Sequence, residues 1–179
     1  MEKIVILGSS GAGKSTLARK LGPLLGVKVF HLDRLLWHCD WKGKTEYERM
    51  ELLEKLAFGE KQWIIEGNYL RSSQIHLDTA DIIVFLDFSP FVCFWHLIKR
   101  HHEYYKCPSR YDIPKKCTDR LTLRRMWKTL TFPFHGRKTI EQVLSNYESK
   151  RIVRLHSTKE VEDYIAQLEQ SVNDKRHSS

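Results

Sequence analysis

Apolar positions along this chain follow two rhythms. Short runs rich in β-branched residues, Lys3–Leu7 (KIVIL), Val27–Leu32 (VKVFHL), Trp63–Ile65, Asp81–Leu86 and Ile152–Leu155, have the length and continuity of buried parallel strands. Between them apolar residues recur at helical intervals: Leu17, Ala18, Leu21, Leu24 and Leu25 after the first run, and Phe94, Leu97 and Ile98 after the fourth. Punctuating residues set the limits. Pro23 lacks a backbone donor and is expected to kink the first helix or end it near Leu21, with Gly26 as terminator. Thr45 with Glu48 has capping-box spacing and opens a helix to about Phe58, with Gly59 behind it; Ser157 with Glu160 repeats the spacing and opens a helix to about Gln170. Ser89-Pro90 reads as an N-cap followed by proline at the first helical position. Tyr104–Thr118, with Pro108, Pro114 and no clear period, reads as a loop before a helix over Asp119–Leu130. A further short helix is expected before Arg151, and 173–179 reads as a frayed tail.

Five strands alternating with helices predict an α/β fold of three layers, a five-stranded parallel sheet with helices on both faces and right-handed crossovers. A length of 179 residues suits one domain, expected over 1–172. Hydrophobic residues at 41% and aromatics at 11% exclude a disordered chain. No apolar run approaches the roughly 20 residues that span a bilayer. Met1–Leu7 meets Gly8 before a secretory hydrophobic region develops, so a cytoplasmic protein is expected, with no membrane partner. The four cysteines form no C-x-x-C pair and read as reduced thiols.

The first turn carries the strongest chemistry. Gly8-Ser9-Ser10-Gly11-Ala12-Gly13-Lys14-Ser15, continued by Thr16, matches G-x-x-x-x-G-K-[ST] between an apolar strand and a helical pattern. Loop amides and the helix N-terminus jointly hold phosphate oxygens, Lys14 is placed to bridge the β- and γ-phosphates, and Ser15 to ligate Mg²⁺. The expected cofactors are therefore ATP and Mg²⁺. The plain alternative is a chance glycine turn, which the strand before and the helix after argue against.

Polar residues closing parallel strands face the ligand edge of the sheet. Asp33, Glu66 and Asp87 hold such positions. Asp33 has two readings, an N-cap for the turn at Arg34–Trp37 or a group acting in chemistry; Asp87, leading into Ser89-Pro90, reads as turn and capping structure.

Charge is concentrated. Residues 99–138 hold 12 basic and 3 acidic side chains, a net +9 against +8 for the whole chain, so this segment is expected to meet an anion. Arg120 and Arg124 are four apart and share a helical face. Trp95, Tyr104, Tyr105, Tyr111, Trp127, Phe132 and Phe134 interleave with these charges, which opens a second reading as a weak, sequence-independent DNA surface. No helix-turn-helix, zinc-finger or RRM signature accompanies it, and His101-His102 with Cys107 and Cys117 lack regular zinc spacing.

The phosphate loop, together with HLDRLLW (His31–Trp37), WIIEGNY (Trp63–Tyr69), IIVFLDFSP (Ile82–Pro90) and DRLTLRRMW (Asp119–Trp127), resembles the DNA topology modulation protein (FlaR-related) family, within the adenylate-kinase-like branch of P-loop proteins. The resemblance spans most of the chain. It implies a P-loop NTPase fold with an ATP site, while the family name describes a cellular effect and no substrate. In similar kinases an acid at the position of Asp33 holds Mg²⁺ through water or accepts the acceptor's proton, and a lid begins where Arg100 falls. That analogy marks about 100–137 as a basic lid, with Arg100 contacting nucleotide and Arg120 and Arg124 at the transferring group. E-G-N-Y-L at Glu66–Leu70 departs from the D-G-F-P-R of adenylate kinases: Leu70 stands at the arginine position and Arg71 is the nearest arginine, which counts against a nucleoside monophosphate acceptor. The function expected is a kinase moving the γ-phosphate of ATP to a small acceptor, a nucleotide or a hydroxyl-bearing metabolite, with Lys14, Asp33, Glu66, Arg120 and Arg124 as catalytic candidates. The alternative is an ATP-binding DNA topology modulator, separable by the salt dependence of DNA binding.

Overall fold

Strands β1 (Lys3–Gly8), β2 (Lys28–His31), β3 (Trp63–Glu66), β4 (Ile82–Leu86) and β5 (Arg151–Leu155) form one sheet in the order β2-β3-β1-β4-β5, with every pairing parallel. The computed structural model describes residues 2–36, 43–70, 74–106 and 122–177. Helices α1 (Lys14–Leu25), α2 (Leu32–Leu35), α3 (Glu46–Gly59), α4 (Ile75–Asp78), α5 (Pro90–Lys106), α6 (Leu123–Leu130), α7 (Gly136–Leu144) and α8 (Thr158–His177) connect and cover the strands. No helix among the described residues is long and apolar enough to cross a membrane.

Strand side chains alternate between two cores, as the pleat requires. Val5, Leu7, Trp63, Ile65, Ile83 and Phe85 meet Leu53 and Ala57 of α3, Leu77 of α4, and Ile140 and Leu144 of α7. Ile4, Ile6, Ile64, Ile82, Val84 and Leu86 meet Leu17, Ala18 and Leu21 of α1 and Tyr164, Ile165 and Leu168 of α8. Both faces of the central strands are therefore dry, which explains continuous apolar runs in place of alternation. Each such Ile, Val or Leu contributes about 1.5–3 kcal/mol by leaving water. This burial anchors β1 between β3 and β4, so the turn leaving β1 emerges in the crevice between their carboxyl ends.

Several limits differ from the pattern. Helix α1 does not stop near Leu21 but runs through Pro23 to Leu25. In the last turn a proline forfeits a single intrahelical bond, and Gly26, at φ +67°, returns its N–H to the carbonyls of Gly22 and Pro23. β2 ends at His31, and Leu32 begins α2 with His31 as N-cap, so Asp33 lies inside that turn and is not its cap. The Thr45–Glu48 capping box forms as read. Helix α6 is capped by Thr122, whose hydroxyl accepts from Arg125 N–H; most of the expected loop, with Cys107, Arg110 and Cys117, and Arg120 of the expected helix lie outside the described residues. Helix α8 continues past Gln170 to His177.

Candidate active site

The phosphate-loop motif occupies the turn between β1 and α1. Gly11 is its tightest point: φ is +83°, and a Cβ there would lie 2.2 Å from the Cys93 carbonyl oxygen in the first turn of α5. Gly13, the N-cap of α1, has no atom within 4 Å of where a Cβ would stand. The loop is thus backed by α5 at Gly11 and open at Gly13, where α1 presents the N–H groups of its first turn and a positive dipole end. Ala12 is buried in the second core and fastens the loop from beneath.

The charged groups of the motif are held inward. Lys14 Nζ donates to the carbonyls of Gly8 and Ser9, each at 3.0 Å. Ser15 Oγ donates to Glu66 Oε1 at 3.0 Å, and His31 Nδ1 donates to the same oxygen at 2.8 Å. Glu66 is 3% exposed, so its carboxylate depends on these donors for what water no longer supplies. Two further contacts fasten the loop. Asn68 pairs with both backbone groups of Gly8: Gly8 N–H donates to Oδ1 at 3.0 Å, and Nδ2 donates to the Gly8 carbonyl at 2.5 Å. His96 of α5 donates from Nδ1 to the Gly11 carbonyl at 2.9 Å. Beside it, burial pushes the Cys93 thiol up to about 11, against the opposing pull of the Lys14 charge.

Glu66 is therefore brought to the phosphate loop, as its strand-end position implied. Asp33 is exposed on α2, and its carboxylate accepts from the Tyr69 hydroxyl at 2.8 Å. Asp87 is buried and pairs with Arg137 of α7 at 2.6 Å, with His156 Nδ1 at 3.6 Å. That ion pair ties the end of β4 to α7, an anchoring contact that the turn-and-capping reading of Asp87 did not include. Arg100 is half-buried on α5 and Arg124 is exposed on α6; Arg71 and Arg120 lie outside the described residues. Among the described residues no three His, Cys, Asp or Glu side chains gather into a metal site. Sequence reasoning missed His31, Asn68, His96 and Arg137. His31 and Asn68 carried a signal, His31 closing β2 two residues before Asp33 and Asn68 standing two residues after Glu66, which closes β3; His96 and Arg137 meet their partners only through the fold.

No protein-family model and no curated protein matches the chain. Solved structures do. The chain is similar to a deoxyadenosine kinase from M. mycoides, solved with the products dCMP and dCDP, at 17% identity and a TM-score of 0.50, covering 98% of this chain and 99% of that one. It is also similar to the shikimate kinase of Acinetobacter baumannii, in complex with shikimate, at 14% identity and a TM-score of 0.60, covering 98% and 94% of the two chains. The fold is that of the P-loop kinases. A shikimate kinase from Bacteroides thetaiotaomicron agrees, at 16% identity and a TM-score of 0.55 over 95% of this chain and 97% of that one. In the P-loop kinase fold the ligand edge is the carboxyl end of the sheet, and Gly8, Lys14, Ser15, Glu66 and Asn68 stand there.

Proposed function

We propose that this protein is an ATP-dependent phosphotransferase that moves the γ-phosphate to a small acceptor, a nucleotide or a hydroxyl-bearing metabolite. The observation that carries the reading is the loop itself, with a lysine ammonium gathered onto two loop carbonyls and a serine hydroxyl beside a buried carboxylate. Amides of the loop and of the first turn of α1 would bind phosphate oxygens, and Lys14 would exchange its carbonyl partners for β- and γ-oxygens. Ser15 Oγ and Glu66 Oε1 are hard oxygen donors side by side, the donor set that suits Mg²⁺ when phosphates complete the shell. That ion, when bound, neutralises charge on the triphosphate.

The acceptor oxygen attacks the γ-phosphorus as the bond to the β-bridging oxygen breaks, leaving ADP, and the acceptor's proton passes to a carboxylate. Asp33 fits the last role better than Glu66. Its carboxylate is exposed and takes one hydrogen bond from Tyr69, whereas one oxygen of Glu66 already serves two donors. Arg100 on α5 and Arg124 on α6 remain the lid candidates among the described residues, whose charge would stabilise the transferring group.

The deciding experiment measures ATP consumption over a panel of nucleotides and small alcohols, alongside calorimetry of ATP-Mg²⁺ binding. Lys14→Ala is expected to weaken triphosphate binding about tenfold or more and turnover by about 10²-fold, with the fold intact. Unchanged ATP affinity in folded Lys14→Ala would defeat the reading.

A further inference from the structure

β1 and β3 pair in register up to Ile6 and Glu66, and the last main-chain bond of this ladder runs from Gly67 N–H to the Ile6 carbonyl at 3.1 Å. The chain then turns away at Gly67, where φ is +141° and a Cβ would stand 2.9 Å from Cβ of Leu32. Residues two apart on a strand aim their backbone groups at the same neighbour, so Gly8, like Ile6, presents its N–H and C=O toward β3. No backbone of β3 remains there. The Asn68 side chain fills the gap, its amide oxygen accepting from Gly8 N–H and its amide nitrogen donating to Gly8 C=O. A side-chain amide thus stands in for a strand residue and extends the ladder by one rung.

The Gly8 carbonyl has a second donor, Lys14 Nζ at 3.0 Å. A triphosphate needs that ammonium, and Gly8 is buried, so a carbonyl abandoned by Lys14 would lose its partner unless another donor stays. We propose that Asn68 is a positioning residue for the phosphate loop, keeping the Gly8 peptide paired while Lys14 transfers from loop carbonyls to phosphate. The inference rests on reading this loop as a triphosphate site. It gives Asn68 a cost only in the exchange: without its amide, Lys14 is the last donor to Gly8 C=O, and binding ATP must break that bond unrelieved.

The consequence is coupling between Asn68 and Lys14, which a double-mutant cycle reads directly. Wild type, Asn68→Ala, Lys14→Ala and the double variant are compared by thermal shift over a range of ATP-Mg²⁺ reaching millimolar, so that weak binding still registers. Asn68→Ala is expected to weaken ATP about tenfold in the wild-type background, the scale of one or two neutral hydrogen bonds, and to add little once Lys14 is gone. Asn68→Asp, of the same shape, keeps the bond from Gly8 N–H but turns an acceptor toward Gly8 C=O and offers Lys14 a rival anion. It is expected to lose more than Asn68→Ala, and it serves as the test if the alanine variant does not fold. An equal loss from Asn68→Ala with and without Lys14 would make Asn68 merely structural, and unchanged affinity in both Asn68 variants would overturn the proposal alone. Wild-type protein that binds no triphosphate would remove the proposed function and this inference together.

Discussion

At Gly11 two constraints coincide, a φ of +83° and the Cys93 carbonyl oxygen 2.2 Å from the place a Cβ would take. The first adds about 1–3 kcal/mol for an L side chain, and the second forces α5 to shift, because the obstacle is backbone. Gly11→Ala is therefore expected to destabilise the fold by about 2–4 kcal/mol in urea unfolding, and to weaken ATP binding as the loop re-forms. A loss below about 0.5 kcal/mol would mean that α5 retreats freely from the loop. Gly13→Ala is the contrast, since its strain is conformational only: φ is +91° with open space around it. At this scale the motif was legible from the chain, because glycine, lysine and serine at fixed spacing describe a local object. His96 was not, since its bond to Gly11 joins residues 85 apart and follows from how α5 crosses the loop.

Elements were legible where their signals are local. The capping box at Thr45–Glu48, and at the other site the Ser157 hydroxyl accepting from Glu160 N–H while the Glu160 carboxylate accepts from His156 N–H, satisfy N–H groups within one turn, so their helices begin where the spacing places them. Ends were less so. Pro23 reads as a kink or an end near Leu21, yet the helix runs on to Leu25, because a proline in a last turn sacrifices one bond that a glycine cap recovers in part. Past Gln170 the apolar stripe of α8 fades, yet the helix continues to His177. Helix continuation after the packed face ends costs little, because each added residue gains a backbone bond once a nucleus exists. Asp33 shows the remaining difficulty: a carboxylate at a strand end is easy to find, but whether it caps, coordinates or faces solvent depends on where the next turn points it. Here Tyr69, from the loop after β3, takes that role.

At the scale of the whole molecule, one of the buried polar side chains among the described residues carries a pH dependence. His76 on α4 is fully buried, and neither ring nitrogen has a hydrogen-bond partner. Burial lowers its pKa from 6.5 to about 4, against a smaller opposite pull from Asp78. The unfolded chain therefore takes up a proton below about pH 6.5 that the fold refuses until about pH 4, so unfolded protein binds more protons in that window and stability falls as pH falls through it. The full loss is on the order of 3 kcal/mol. His76→Phe is expected to flatten the Tm-against-pH curve between pH 4 and 6.5 relative to wild type, with little change at pH 8; parallel curves would show that acid sensitivity arises elsewhere.

The packing of α5 against Gly11 also turns Cys93 into a clock. Its thiol has no exposed surface, and its pKa of about 11 leaves little of the reactive thiolate at neutral pH. An alkylating reagent can reach it only during excursions in which α5 and the loop part, so the labelling rate counts those excursions, as hydrogen exchange counts local openings. Nucleotide in the loop should make them rarer. Followed peptide by peptide with mass spectrometry, modification of Cys93 is expected to slow in saturating ATP-Mg²⁺ by the factor that binding stabilises the closed arrangement, RT ln(1 + [L]/Kd) expressed as a rate. A rate indifferent to nucleotide would mean that the helix and the loop breathe independently, and the shared Gly11 contact would then be a matter of packing without communication.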